Sequence, residues 1–325
     1  MIVMTRRRLM VLGAACIASG AGARTGRGLR RIAFLIGADF PTMTAAFLGE
    51  LERLGYHNGR NLIIDVRLGR SNSNDLATHI ADLAGREVDL VVAASLPVAL
   101  AVRRAMPDVP LVIATAPGLV SNGFADSIQR PGRNATGIDE LPPGLTAHRL
   151  RLLKEIAPEL ERVALLSTTP GTGGHEAQLA DAQSVASELG IRPTVYRART
   201  LDELDASLGR IEADAMHGLV NFQGALSLVN RERILALTDR LGMPAIYQSQ
   251  LFVRSGGLMS YAPDQDEQFR MSARYADRIL RGARAGDLPI VHPPRYFLTL
   301  NRSAARRQGL TVPPRLLAAA DTLID

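Results

Sequence analysis

Side chains suited to covalent or metal chemistry are thinly spread along this chain. Its six histidines (His57, His79, His148, His175, His217 and His292) include no pair at metal-ligand spacing. His175-Glu176 opens like the helix of a zinc peptidase, whose second histidine stands four residues after the first, but Leu179 occupies that place. No G-x-S-x-G turn presents a nucleophilic serine. Lys154 is the single lysine among 38 basic residues, and no phosphate-cradling glycine loop precedes it. Gly171-Thr-Gly-Gly174 follows an apolar run and opens a helical one. With no third glycine at fingerprint spacing, it reads as a ligand loop or a plain turn, not as a dinucleotide site. Asp264 and Asp266 read as acids at a helix N-terminus, where the helix dipole favours them, and not as a catalytic pair. These residues point away from catalysis and from any metal or cofactor.

What the chain does carry is small hydroxyl residues just before helical segments: Thr42, Thr44, Ser95, Thr168 and Thr169. Helix N-termini expose backbone N–H groups and a positive dipole end, so such loops hold a carboxylate without a lysine. The competing reading is that each hydroxyl caps its helix. Recurrence at several strand ends favours the ligand reading.

The elements that must position these residues alternate. Compact apolar runs at 32–36, 63–66, 89–93 and 111–114 read as strands buried on both faces. Helical spacing fills the intervals at 42–54, 74–85 and from Pro97 onward. After a Gly/Pro-rich stretch at 131–144 the rhythm restarts. Helices are expected near 146–156, 176–189, 201–213, 228–241 and 266–281, and strands at 163–167, 194–196, 218–222, 245–247 and 258–261. Two βα series of similar size, in a chain of 325 residues, imply an α/β protein of two doubly wound parallel-sheet lobes. Ligands of such sheets bind where loops leave the carboxyl ends of the strands.

The N-terminus reads as an export signal: Arg6, Arg7 and Arg8, an apolar run to Ala18, then an Ala-x-Ala site ending at Ala23. The paired arginines resemble a twin-arginine signal, and general Sec export is the rival. Cys16, the only cysteine, lies inside this segment without a lipoprotein context, so a chain cleaved after Ala23 has no thiol. The net charge of +6 and pI near 10.0 suggest nucleic acid at first sight. Removing 1–23 takes away three arginines and no acid, and the remaining arginines are spread among acids. With aromatics at 4% and no tryptophan, a nucleic-acid surface is not expected. No other apolar run is long enough to span a bilayer.

A set of motifs, in order, carries a resemblance. Leu54-Gly-Tyr56 is followed by Gly59-Arg-Asn61, then by Arg130-Pro-Gly-Arg-Asn-Ala-Thr-Gly137 and Leu152-Leu-Lys-Glu-Ile-Ala-Pro158. Arg231-Glu-Arg-Ile234, Pro244-Ala-Ile-Tyr247, Gly256-Gly-Leu-Met-Ser-Tyr261, Asp277-Arg-Ile-Leu280, Asp287-Leu-Pro289 and Val312-Pro-Pro314 follow. Through these the chain resembles the solute-binding proteins of ABC importers, in the tryptophan/tyrosine-type group. The resemblance implies two Rossmann-like lobes of the type I periplasmic binding protein kind, joined by a hinge and closing on a small molecule. It implies residues 30–138 as the first lobe, with 264–290 returning to it, and 139–263 as the second, with 291–325 as a strand–helix tail. It implies a monomer in the periplasm that meets an ABC permease and uses no cofactor; a periplasmic sensor of the same fold is the alternative. By position, the family's pocket falls on Gly37, Asp39, Phe40, Ser95, Ala116, Pro117, Thr168, Thr169, Asn221, Phe222 and Tyr261. One departure stands out. Relatives that take aromatic amino acids carry an Asp-Asn pair where this chain has Asn221-Phe222-Gln223, and residues 220–226 contain no acid. Either Asp39 or Asp264 receives a ligand ammonium, or the ligand has no amine.

Overall fold

The computed structural model describes residues 29–37, 40–69 and 73–325. The expected export signal at 1–23 and Asp39 lie outside them.

The first series runs β1 (Arg31–Ile36), α1 (Pro41–Arg53), β2 (Ile63–Leu68), α2 (Ser73–Ala84), β3 (Leu90–Ala93), α3 (Leu96–Ala105), β4 (Leu111–Ala116) and β5 (Ala135–Asp139). Its strands form one parallel sheet in the order β2-β1-β3-β4-β5. β1 and β3 are buried along almost their whole length because helices cover both faces, which is why they read as unbroken apolar runs.

The second series runs α4 (Leu145–Ile156), β6 (Arg162–Ser167), α5 (Gly173–Ala186), β7 (Arg192–Arg197), α6 (Leu201–Ala213) and β8 (Gly218–Asn221). It continues through α7 (Ala225–Val229), α8 (Arg231–Arg240), β9 (Ala245–Tyr247), α9 (Gln250–Arg254) and β10 (Met259–Pro263). After α10 (Gln265–Leu280) come β11 (Tyr296–Asn301), α11 (Arg302–Arg307), α12 (Pro314–Ala319) and β12 (Thr322–Ile324). The second sheet is ordered β12-β11-β10-β9-β8-β6-β7, parallel except where β11 meets β10. Its parallel part, β7-β6-β8-β9-β10, repeats the order of the first sheet. Each sheet is doubly wound, with apolar clusters on both faces.

Two expectations need correction. The helix expected at 228–241 is two helices, broken where Asn230 leaves helical geometry and its amide donates to the Leu226 carbonyl at 2.9 Å. The crossover stretch at 131–144 contains β5. Its Gly137 lies so close to Ile113 of β4 that a Cβ would collide with the Ile113 backbone, so glycine is required for the pairing.

α10 follows β10 of the second sheet, yet it packs on α1 and β4 of the first. Phe269 meets Phe34 edge-on at 6.0 Å, and Phe34 stacks on Phe47 at 4.5 Å. Arg274 bonds the buried Glu50 carboxylate at 2.6 Å, and Tyr56 donates to Asp277 at 2.8 Å. The chain therefore passes between the lobes three times: after β5, before α10 and before β11. The first and third passages run side by side, bridged at Ile138 and Val291, with the Tyr296 hydroxyl donating to the Glu140 carbonyl at 3.0 Å.

Candidate functional site

In each sheet the chain reverses its winding direction beside the first strand of the series, between β1 and β3 and between β6 and β8. Loops diverge at such switch points and leave a crevice at the strand ends. The loops concerned are those after β1 (Gly37, Phe40), β3 (Ser95), β6 (Thr168, Thr169) and β8 (Phe222, Gln223). The two lobes meet across these ends. Phe40 and Leu251 pack against clusters of both lobes. The Gly173 N–H donates to Asn122 Oδ1 at 3.2 Å. Pro117 and Gly118 abut Gly174 so closely that a Cβ on Gly174 would lie 2.7 Å from Pro117 Cβ and from its carbonyl oxygen.

The recurrent hydroxyls are not helix caps. α1 begins after Phe40, with no side-chain cap, so Thr42 and Thr44 lie inside it. Ser95 precedes α3 in extended geometry, but its hydroxyl does not bond the helix. α5 is capped by Thr172, which leaves Thr168 and Thr169 upstream of the cap. Thr169 Oγ1 donates to the Gln223 carbonyl at 3.4 Å. Thr168 Oγ1 and Thr44 Oγ1 are buried and make no hydrogen bond within the protein.

Other side chains at the same ends share that condition. Asn221 ends β8 fully buried; its amide nitrogen reaches Ser227 Oγ at 3.4 Å, while Oδ1 has no partner. Gln248, just past β9, donates to the Gly224 carbonyl and to Ser227 Oγ but leaves Oε1 unpartnered. Gln268, in the first turn of α10, is buried with neither amide atom bonded. Buried polar atoms without partners are costly, about 1–3 kcal/mol each, and rare. Further ones, on Thr146, His175, Ser260, Thr299 and Gln308, are scattered through the second lobe. Among the described residues, only the strand ends draw them from both lobes.

Between the lobes lies a charged group of residues that sequence reading passes over. Glu140 follows β5 and is nine-tenths buried. Its Oε2 accepts from Thr115 at the end of β4 at 2.6 Å, and Gln223 of the second lobe lies beside its carboxyl. Burial pushes its pKa up. Arg149, on α4, is fully buried. Its Nε and Nη2 donate to the Tyr261 carbonyl at 2.9 and 2.8 Å, and its Nη1 donates to Gln223 Oε1 at 2.9 Å. Burial lowers its pKa to about 10, so it stays protonated at neutral pH. Glu140 and Arg149 make no direct ion pair; Gln223 stands between them. Gln223 is in turn fixed by Gln178, which accepts from its N–H at 2.9 Å.

The remaining expected residues are placed as follows. Ala116 and Pro117 are buried at the end of β4, against the second lobe. Phe222 is wholly buried and packs in the second-lobe core, its ring 6.1 Å from that of His175. Tyr261 is half-buried between Tyr296 at 5.8 Å and His148 at 4.6 Å. Asp264 caps α10, accepting from the Glu267 N–H at 3.1 Å, and lies 3.7 Å from Arg270. Asp139 accepts from the N–H groups of Gly118, Leu119 and Leu141, which fully occupies its carboxylate in the backbone. Among the described residues no group of three or more His, Cys, Asp or Glu is placed to hold a metal ion. No helix among them is long and apolar enough to cross a membrane.

Two parallel-sheet lobes facing each other across their strand ends define the architecture of type I periplasmic binding proteins. Residues 34–324 match the family model of the ABC transporter substrate binding proteins, and the chain belongs to that family. As such it is a solute-binding protein and not an enzyme. The tyrosine-binding protein of Clostridioides difficile (strain R20291) is 23% identical over 252 residues, 75% of this chain and 70% of that relative. Among solved structures, the ABC domain in complex with L-Trp from Streptococcus pneumonia is 19% identical with a TM-score of 0.84, covering 91% of this chain and 100% of that one. A conserved domain protein from Vibrio cholerae is 22% identical with a TM-score of 0.83, over the same shares.

Proposed function

We propose that this protein captures a small carboxylate-bearing molecule between its lobes and delivers it to the permease of an ABC importer. The observation that carries this reading is the gathering of unpartnered buried polar atoms at the strand ends of both lobes: Thr44 and Gln268 on one side, Thr168, Asn221 and Gln248 on the other. A protein retains such atoms where a bound molecule supplies the missing bonds. The supply of donors suits a carboxylate. Hydroxyls and side-chain amides surround the crevice, and the N-termini of α1, α3 and α5 point their N–H groups toward it. On this reading the export signal expected at 1–23, twin-arginine-like or Sec, carries the protein to the periplasm, where the capture takes place. The names of relatives that bind tyrosine or are solved with L-Trp make aromatic amino acids the first candidates.

A thermal-shift screen tests the reading. The panel holds aromatic and branched amino acids, their 2-oxo acids and aromatic carboxylates. A ligand present at about 100 times its Kd adds roughly 2.7 kcal/mol of stability, a shift that is easily read. Stabilisation by at least one member is the expected result. Silence across every carboxylate, with the protein folded, removes the reading.

A further inference from the structure

We propose that Glu140 is the specificity residue that receives a positively charged group of the ligand, and so selects ammonium-bearing acids over amine-free ones. The proposal rests on the capture reading above and sharpens it. Three observations carry it. Glu140 lies between the lobes, bonded by Thr115 of the first and beside Gln223 of the second, where a molecule held by both strand-end crevices is within reach. It is nine-tenths buried, yet among the described residues no arginine, lysine or histidine lies in ion-pair contact with it, whereas the other two buried acids are satisfied, Glu50 by Arg53 and Arg274 and Asp139 by three backbone N–H groups. The one buried cation nearby, Arg149, gives its bonds to the neutral oxygens of Tyr261 and Gln223. A buried carboxylate without a contacting cation is costly, and a ligand ammonium relieves that cost directly. Glu140 also fills the gap left by the missing acid at residues 220–226. Asp264 is engaged as the cap of α10 and Asp139 by three backbone groups.

The test uses matched ligands differing only in the amine: L-tryptophan against indole-3-propanoate, and L-tyrosine against 3-(4-hydroxyphenyl)propanoate, titrated by calorimetry into the purified protein. The wild type is expected to bind the amine-bearing member of a pair at least about tenfold more tightly, a difference of about 1.4 kcal/mol. Glu140→Gln, which keeps the shape and can still bond Thr115, should bring the ratio of the two Kd values close to one. Glu140→Asp, which keeps the charge, should retain part of it. A preference that survives in Glu140→Gln overturns the proposal, because Glu140 then serves only to join the lobes. Equal or tighter wild-type binding of the amine-free acids also overturns it, and leaves the carboxylate-capture reading standing. That comparison needs no variant, so a misfolded substitution does not shield the idea. Failure of every matched ligand overturns it as well, and the wider screen then tells whether the capture reading falls with it.

Discussion

Thr168 carries a hydroxyl that is buried and bonded to nothing in the protein, so its two possible contributions separate cleanly. Replacing it by valine keeps the shape and removes the unpartnered oxygen. Thr168→Val should therefore fold with stability equal to or up to about 1 kcal/mol above the wild type, while ligand affinity drops by about tenfold or more. Calorimetry for the melting temperature and a titration with the screening hit read the two effects independently. A variant that binds as tightly as the wild type would remove Thr168 from the site. This residue was visible in the sequence because small hydroxyls before helical periodicity are a local signal. Glu140, Arg149 and Gln248 were not. Their meaning depends on partners up to 112 residues away, as between Arg149 and Tyr261, and nothing in a local window marks a buried charge as different from a surface one. Phe222 shows the reverse limit: nothing local in the sequence tells that an aromatic residue at a strand end packs into the core of its lobe.

Among the elements, α1 and α10 are joined by a charge cluster that makes the junction sensitive to acid. Glu50 is buried, and its carboxyl is held down from 4.5 to about 2, chiefly by the hydrogen bond from Arg53, with Arg274 adding to it. A lowered pKa in the folded state means the stabilisation is complete above about pH 4.5 and fades as the pH falls toward 2. Glu50→Gln should cost about 1–2 kcal/mol near neutral pH, a modest value because both arginines are partly in water. Denaturant titrations should show the gap between variant and wild type closing as the pH drops from 5 to about 2; a gap independent of pH would contradict the assignment. Sequence reading of the elements succeeded where burial on both faces makes strands continuous apolar runs, as in β1 and β3. It missed β5, whose only large apolar residue is Ile138 and whose strand character comes from pairing with β4. It also missed α9, a five-residue helix too short for periodicity to register, and ran α7 and α8 together because the break at Asn230 is one residue wide.

For the molecule as a whole, the contact of Pro117 and Gly118 with Gly174 sets how closely the lobes approach. A methyl at residue 174 would lie 2.7 Å from Pro117 Cβ and from its carbonyl oxygen, well inside contact distance, so one side must shift. Gly174→Ala should hold the lobes apart. Ligand affinity is expected to fall by about tenfold or more, with little change in melting temperature of the free protein. Small-angle scattering should give a larger radius of gyration with ligand than the wild type shows. Unchanged scattering and unchanged affinity would show that the contact does not limit approach.

The threefold passage of the chain between the lobes has a bearing on how the molecule is made. The face of the first sheet built on Phe34 and Phe47 is closed by Phe269 of α10, more than 200 residues later, and the edge of the second sheet is closed by β12 at Thr322–Ile324. A nascent chain therefore finishes neither half until both are almost complete. Until residue 280 has been added, an aromatic surface waits uncovered, open to whatever holds unfinished polypeptides. The two halves that look separable in the final structure mature as a single event, and no single cut in the chain would yield one of them whole.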